Sequence, residues 1–408
     1  MNEAANIDGR STRVTLPLRM HVLVLPKWYP GRNDPQLGDF VRKQMLATAG
    51  VLQQRGGKLS VVFTVPFPGL ERGEIQELQQ DTGAWELRCY YRPSTVDLLP
   101  LRKLINLWRY WKTARNGIRR AIRERGAPDL THVHILVRPA LSAWWLKQMR
   151  GTPYILSEQS SEYLDGTWDR KSALFKALNL AIFRRAAAVT AVSPHLADGL
   201  RQRGLCERHE VVPNTVPGTG RPLPPPGPAT RFMVVADLVD RTKNVSGVLR
   251  ALKAGRNAGH DLRLDVIGDG TDMESLRRTA TDLGLNGSVC WLGRTSNAEV
   301  LTHMEGTGTV IINSNVETFS VVTGEALALG KPVIATRCGG PQGFITEDNG
   351  TLIDPGDDAA LAAAMIARAR QERAYDPAAI RRTVDERFSP AAVGARFVDV
   401  YQRVLGHA

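Results

Sequence analysis

Cysteine is scarce and scattered. The four in 408 residues, Cys89, Cys206, Cys290 and Cys338, form no C-x-x-C pair. That argues against a zinc site or a disulfide framework and for a reducing cytoplasm. Long apolar runs are missing too: none approaches the roughly 18 residues needed to cross a bilayer. The first eighteen residues lack the apolar core of a signal peptide and read as a loose tail. No G-x-G-x-x-G occurs, which leaves a nicotinamide site poorly supported. Acid is in deficit, with 41 Asp and Glu against 53 Lys and Arg and a net charge of +12. Such a balance points to an anionic partner: nucleic acid, anionic lipid or a phosphorylated substrate. No helix-turn-helix, zinc-finger or RNA-binding signature is present, so nucleic acid is the weakest of the three.

The remaining composition is that of an ordinary globular protein, 43% hydrophobic and 23% charged. At this length two domains of about 200 residues are expected. The apolar run Met20–Leu25 opens the first as a strand. A turn-rich loop carries it to Gly38, and a helix starts near Asp39. Strand and helix then alternate to Val212. Pro217–Pro228 is rich in proline and glycine, the clearest linker in the chain. Alternation resumes at Arg231–Ala236, which implies right-handed crossovers and a parallel sheet. The expected division is a tail over 1–18, a first domain over 19–215, a linker over 216–229 and a second domain over 230–388. A terminal helix over 389–408 would return to the first domain.

One stretch concentrates chemistry. Asn313–Ala335 reads strand end, loop, short helix, strand. Glu317 and Glu325 stand eight positions apart in it. Gly330 and Pro332 punctuate the helix end. Ser320 is a fair N-cap. The loop and helix aim backbone N–H groups and a dipole at whatever lies above, which suits a diphosphate. Glu317 and Glu325 would flank it as hydroxyl-binding carboxylates.

This pattern, E-x(7)-E followed by A-L-A-L-G-K-P-V-I-A and the Gly339–Gly340 pair, resembles the retaining glycosyltransferases of family 4. The likeness runs on through Pro341, Asn349-Gly350 and Pro355-Gly356-Asp357. It also takes in W-Y-P…G-D-F at Trp28–Phe40, V-V-P-N at 211–214, Gly268-Asp269-Gly270 and Trp291-Leu292-Gly293. It implies the GT-B architecture: α/β, two Rossmann-like domains with parallel sheets facing across a cleft. The implied reaction moves a sugar from a nucleoside-diphosphate sugar to a glycan or lipid-linked acceptor, with retention, without metal or cofactor. In that scheme Glu317, Phe319 and Ser320 meet the sugar and Glu325 the ribose. Leu292 and Gly293 meet the base. Lys243, Gly38 and the N–H groups of Ser320, Val321 and Val322 meet the diphosphate. His134, at a strand's carboxyl end, would face the transferred sugar. The absence of any Asp-x-Asp agrees with a metal-free diphosphate site.

Two positions depart from the family pattern. An arginine usually stands six residues before the lysine, and here that position is Asp237. Arg241 lies between and could swing in. A second histidine usually follows the next strand, and here it is Gln159, which can hydrogen-bond but not titrate. Two other readings stay open: a catalytically weakened nucleotide-sugar-binding partner of a synthesis complex, and a sugar-nucleotide epimerase of the same fold. Finally, Leu101–Arg125 reads as a helix with nine cations against one acid, Glu124, interleaved with Trp108 and Trp111. Such a helix suits the surface of an anionic membrane as well as a solvated face. The expected location is the cytoplasm, with a peripheral position on the membrane's cytoplasmic face as a variant.

Overall fold

The computed structural model describes residues 19–80 and 82–406. The expected tail over 1–18 and the last two residues of the expected terminal helix fall outside them. Fourteen strands among the described residues form two sheets. The first contains β1 (His21–Pro26), β2 (Lys58–Pro66), β3 (Glu74–Gln79), β4 (Trp85–Tyr91), β5 (Leu130–His134), β6 (Tyr154–Glu158), β7 (Ala188–Ala191) and β8 (Glu210–Val211). Their order is β3-β4-β2-β1-β5-β6-β7-β8, and every pair is parallel except β3–β4. The second sheet contains β9 (Arg231–Val235), β10 (Arg263–Ile267), β11 (Val289–Gly293), β12 (Thr309–Ile312), β13 (Val333–Thr336) and β14 (Gly350–Ile353). It is wholly parallel, in the order β11-β10-β9-β12-β13-β14.

The inner strands are apolar on both faces because helices cover both. Val22, Leu23 and Val24 of β1 are all buried, as are Val310 and Ile311 of β12. The antiparallel edge strand β3 was not legible as a strand. Its sequence, Glu-Ile-Gln-Glu-Leu-Gln, is half-buried throughout and polar at four of six positions. It owes its conformation to the β4 ladder.

Three helices pack on the first sheet at its centre: α1 (Asp39–Gln54) and α2 (Leu99–Arg125) on β2, and α3 (Arg138–Arg150) on β5. The C-terminal helix Pro390–Leu405 packs along α1. Gly394 allows the close approach, since a Cβ there would sit 2.6 Å from the Ala47 carbonyl oxygen. The proline-rich segment between the sheets is tied down at both ends. Val216 N donates to Phe388 O at 3.0 Å, and Lys331 Nζ to Pro225 O at 3.2 Å.

In the second sheet the strand order reverses between β9 and β12. Ligands of open α/β sheets bind in the crevice beyond the strand ends at such a switch point.

Candidate active site

A cavity of about 440 Å³ opens beyond the carboxyl ends of β9 and β12. Asp237, Asn313, Ser314, Glu317, Ser320–Val322 and Glu325 line its second-domain wall, with Lys243. Gln36, from the loop before α1, and Asp39, Phe40 and Lys43, from its start, line the opposite wall.

Lys243 ends a four-residue helix, Asp240–Lys243, that follows β9. Its Nζ donates to Glu317 Oε1 at 2.6 Å, and Ser314 Oγ donates to the same oxygen at 2.8 Å. Burial alone would push the ammonium down. The Glu317 carboxylate outweighs it, Asp237 adds to the effect, and Lys243 stays charged above its ordinary value. The Glu317 backbone is clipped to the turn after β13: its N–H donates to Cys338 O at 3.0 Å, and its carbonyl accepts from Gly340 N at 2.9 Å. The carboxylate is thereby fixed from both sides.

Ser320 precedes the helix Val321–Ala328 but does not cap it. It sits at φ +70° and its hydroxyl pairs with Thr323 Oγ1 at 2.7 Å, not with a backbone N–H. The expected side-chain cap is therefore corrected. What remains is a strained serine that leaves the first-turn N–H groups of an apolar helix without intrahelical partners, beside the cavity. Glu325, one turn further, is 2% exposed. Asn297 Nδ2 donates to its Oε1 at 2.7 Å. Burial pushes this carboxyl up to about 7, against the hydrogen bond from Asn297.

The opposite wall joins this one through side chains that sequence reasoning missed. Lys43 Nζ lies 2.6 Å from Asp39 Oδ2 and donates to Asn297 Oδ1 at 2.9 Å. Asp39, Lys43, Asn297 and Glu325 thus form one polar chain across the cleft. A second bridge lies beside it. Arg294 binds both Asp34 oxygens at 3.1 Å and Gln36 Oε1 at 2.9 Å, while Gln36 Nε2 donates to Thr295 O at 2.9 Å. The only sequence signal was the i,i+4 spacing of Asp39 and Lys43. Nothing in the sequence tied either residue to positions some 250 residues away.

Other expected site residues lie elsewhere. His134 is not in the cavity wall. It is completely buried against His132 and Phe397, with ring centroids at 4.1 and 6.0 Å, and burial pushes it down to about 3. Gln159 is buried beside it and donates to Gln44 Oε1 at 2.9 Å. Phe319 turns its ring away to meet Phe344 and Phe388 edge to face, with ring centroids at 4.8 and 5.7 Å. Arg241 is exposed and outside the cavity. Gly38 holds φ +67° at the head of α1, next to the lining residue Asp39. A Cβ there would meet the Trp28 carbonyl carbon at 2.4 Å. Leu292 and Gly293 end β11, and the residues that reach the cavity are the next two, Arg294 and Thr295. Cys338 is buried.

Two facing parallel-sheet units with a polar cavity at the strand ends define a GT-B architecture. Solved structures share it. The apo form of the lipopolysaccharide outer core galactosyltransferase WaaB aligns over 94% of this chain and all of its own, with TM-score 0.66 at 18% identity. Anabaena HepE in complex with UDP aligns over 94% of this chain and all of its own, with TM-score 0.69 at 17% identity. In sequence, residues 41–215 match the glycosyl transferase 4-like domain and residues 223–378 the group 1 glycosyl transferases. The lipopolysaccharide core biosynthesis glycosyltransferase LpsD of Rhizobium meliloti (strain 1021) is 31% identical over 240 residues. That match covers 55% of this chain and 66% of LpsD. The chain belongs to the group 1 glycosyl transferases.

Proposed function

We propose that this protein transfers a sugar from a nucleoside-diphosphate sugar to a glycan or lipid-linked acceptor, in the assembly of a lipopolysaccharide core or related polysaccharide, with retention. The observation that carries the reading is the meeting of Lys243, Glu317, Glu325 and the head of the helix Val321–Ala328 in one cavity at the sheet's switch point. The likeness to LpsD, WaaB and UDP-bound HepE supports it.

The anomeric C–O bond to the diphosphate breaks through an oxocarbenium-like state, and negative charge gathers on the leaving oxygen. Lys243 and the N–H groups at Val321 and Val322 stabilise that charge. With the donor bound, Lys243 turns part of its charge from Glu317 to the phosphates. Glu317 then accepts from sugar hydroxyls, and Glu325 accepts from the ribose in place of Asn297. Gly38 meets the diphosphate side of the cleft through its backbone, at the turn that brings Asp39 and Lys43 to the cavity, and the backbone at Leu292–Gly293 flanks the base. The donor is a substrate, and the scheme uses no cofactor. Asp237 stands where a cation would be expected, and this observation favours a second reading: a weakened donor-binding partner of another transferase.

A panel of nucleoside-diphosphate sugars separates the two. A true donor at about 100 times its Kd raises stability by about 2.7 kcal/mol. Incubation with candidate acceptors then yields a glycoside whose anomeric configuration matches the donor. Stabilisation without product from any acceptor selects the partner reading, and no stabilisation by any member defeats both.

A further inference from the structure

The helix α2 is two helices in one. Its second half packs on β2 and β4, with Ile118 and Ala121 completely buried. Its first half carries leucines turned to solvent: Leu104 is 64% exposed, and Leu99, Leu101 and Leu107 are exposed as well, as is Leu98 just before the helix. Where α2 meets α3, this apolar strip widens into a groove of about 550 Å³. Leu104, Leu107 and four tryptophans, Trp108, Trp111, Trp144 and Trp145, line it. Trp108 is 60% exposed, and Trp111 and Trp145 meet edge to face at 5.7 Å. Monomeric proteins seldom leave such a patch open without a binding role.

The charge around it identifies the occupant. Lys112 lies over the Trp108 ring at 5.5 Å, Arg115 over Trp145 at 5.4 Å and Arg185 over Trp144 at 5.2 Å. Across α2 and α3 together, twelve Lys and Arg face one acid, Glu124, and Arg120 already holds that one at 2.7 Å. A second copy of this chain would bring the same excess of cations against it. An anionic lipid leaflet presents what the surface asks for: phosphate at the rim, hydrocarbon in the middle. Tryptophan, with an apolar body and a polar edge, belongs at that boundary.

We propose that the groove between α2 and α3 seats this protein on an anionic bilayer, with acyl chains in the tryptophan-lined groove and headgroup phosphates on the surrounding cations. The sequence pointed to the basic face of α2 as the attachment. The structure moves the contact to the apolar first half and its junction with α3, and makes the cations a rim. No described helix is long and apolar enough to cross a membrane, so the attachment is lateral. Its residues lie apart from the cleft, and the proposal does not depend on sugar transfer.

The test uses the full chain, vesicles of phosphatidylglycerol or phosphatidylcholine, and matched lipids with brominated chains. No donor or acceptor is added. Phosphatidylglycerol vesicles should bind the protein, shift its tryptophan emission to the blue, and quench that emission when the chains are brominated. Phosphatidylcholine vesicles should bind at least tenfold more weakly. Each engaged cation contributes about fivefold, the equivalent of about 1 kcal/mol. Leu104→Glu with Leu107→Glu should reduce binding at least tenfold, with the unfolding temperature and nucleotide-induced stabilisation preserved. Arg102→Glu with Lys103→Glu should reduce it about 25-fold or more at low salt, and that loss, unlike the leucine pair's, should vanish at high salt. Binding without quenching, indifferent to the leucine substitutions, would mean adsorption by charge alone and overturn the proposal. So would absence of vesicle binding with a concentration-dependent dimer that Leu104→Glu disrupts.

Discussion

The two walls of the cleft are built alike and used differently. Both sheets end their central strands in polar residues at the edge facing the cavity. In the second domain the segments that follow the strand ends reach it: Asp237 and Lys243 after β9, and Glu317 and Glu325 after β12, line the space. In the first domain His134, Glu158 and Gln159 sit at equivalent strand ends, and all three are buried and turned towards neighbours. Glu158 Oε1 accepts from Leu136 N at 3.0 Å, and Ile135, the residue before Leu136, holds φ +64°. A strand's carboxyl end is thus a location and not a role. Partners and exposure decide which polar groups can meet a ligand.

The largest effect that sharpens this contrast is at Glu317. Glu317→Gln should lower turnover about 100-fold or more, because a preorganised charge is lost where the transition state needs it. Donor affinity should change only a few-fold. In the first domain, His134→Leu should leave turnover within about threefold and alter the thermal midpoint instead. Steady-state kinetics and thermal scans on both variants decide the matter. A loss at His134 as deep as that at Glu317 would erase the distinction.

Next comes the diphosphate cation. Lys243→Ala removes a charge-assisted contact worth about 1.5–3 kcal/mol, so nucleoside-diphosphate affinity by calorimetry should drop about 10- to 100-fold. Arg241→Ala should change it less than threefold, since Arg241 stands outside the cavity. The reverse ranking would mean that the short helix Asp240–Lys243 re-forms on donor binding. A smaller effect belongs to the polar chain across the cleft. Lys43→Met frees Asn297 from the first domain, and nucleotide affinity should fall about 2- to 10-fold, a modest loss because the ammonium is partly exposed and shared with Asp39. No change would show that the bridge breaks before the nucleotide binds.

The same contrast explains what could be read in advance. The alternation of strands and helices, the parallel second sheet and the positions of Glu317, Glu325 and Lys243 are all set by local pattern and spacing. Gly330 ends its helix at φ +69°, as its place before Pro332 implies. The misplaced residues are those whose fate depends on distant neighbours. His134 looked like a ligand-facing residue until Phe397, from the last helix, closed over it. The ring of Phe319 had to be in the core because Phe344 and Phe388 are there. Asn297 and Lys43 meet only once two domains face each other.

The finest test of the comparison is titration, because each domain buries a glutamate that burial pushes up to about 7: Glu325 in the second domain and Glu158 in the first. A carboxyl raised this way holds its proton longer in the folded chain than in the unfolded one. Its stabilising contribution is complete below the ordinary value of 4.5 and is lost as pH rises towards about 7. Each group should tilt stability downward by roughly 1 kcal/mol per pH unit across that window and leave it level above. Glu158→Gln and Glu325→Gln should each flatten the slope without ligand. Only Glu325 should respond to nucleotide. Ribose hydroxyls donating to Glu325 favour its ionised form, so stabilisation by a nucleoside-diphosphate sugar, whose doubly substituted phosphates do not titrate in this range, should grow from pH 6 to pH 8 in the wild type and in Glu158→Gln. It should stay level in Glu325→Gln. Nucleotide stabilisation that rises equally in all three proteins would place the linked proton on some other group and remove Glu325 from the ribose.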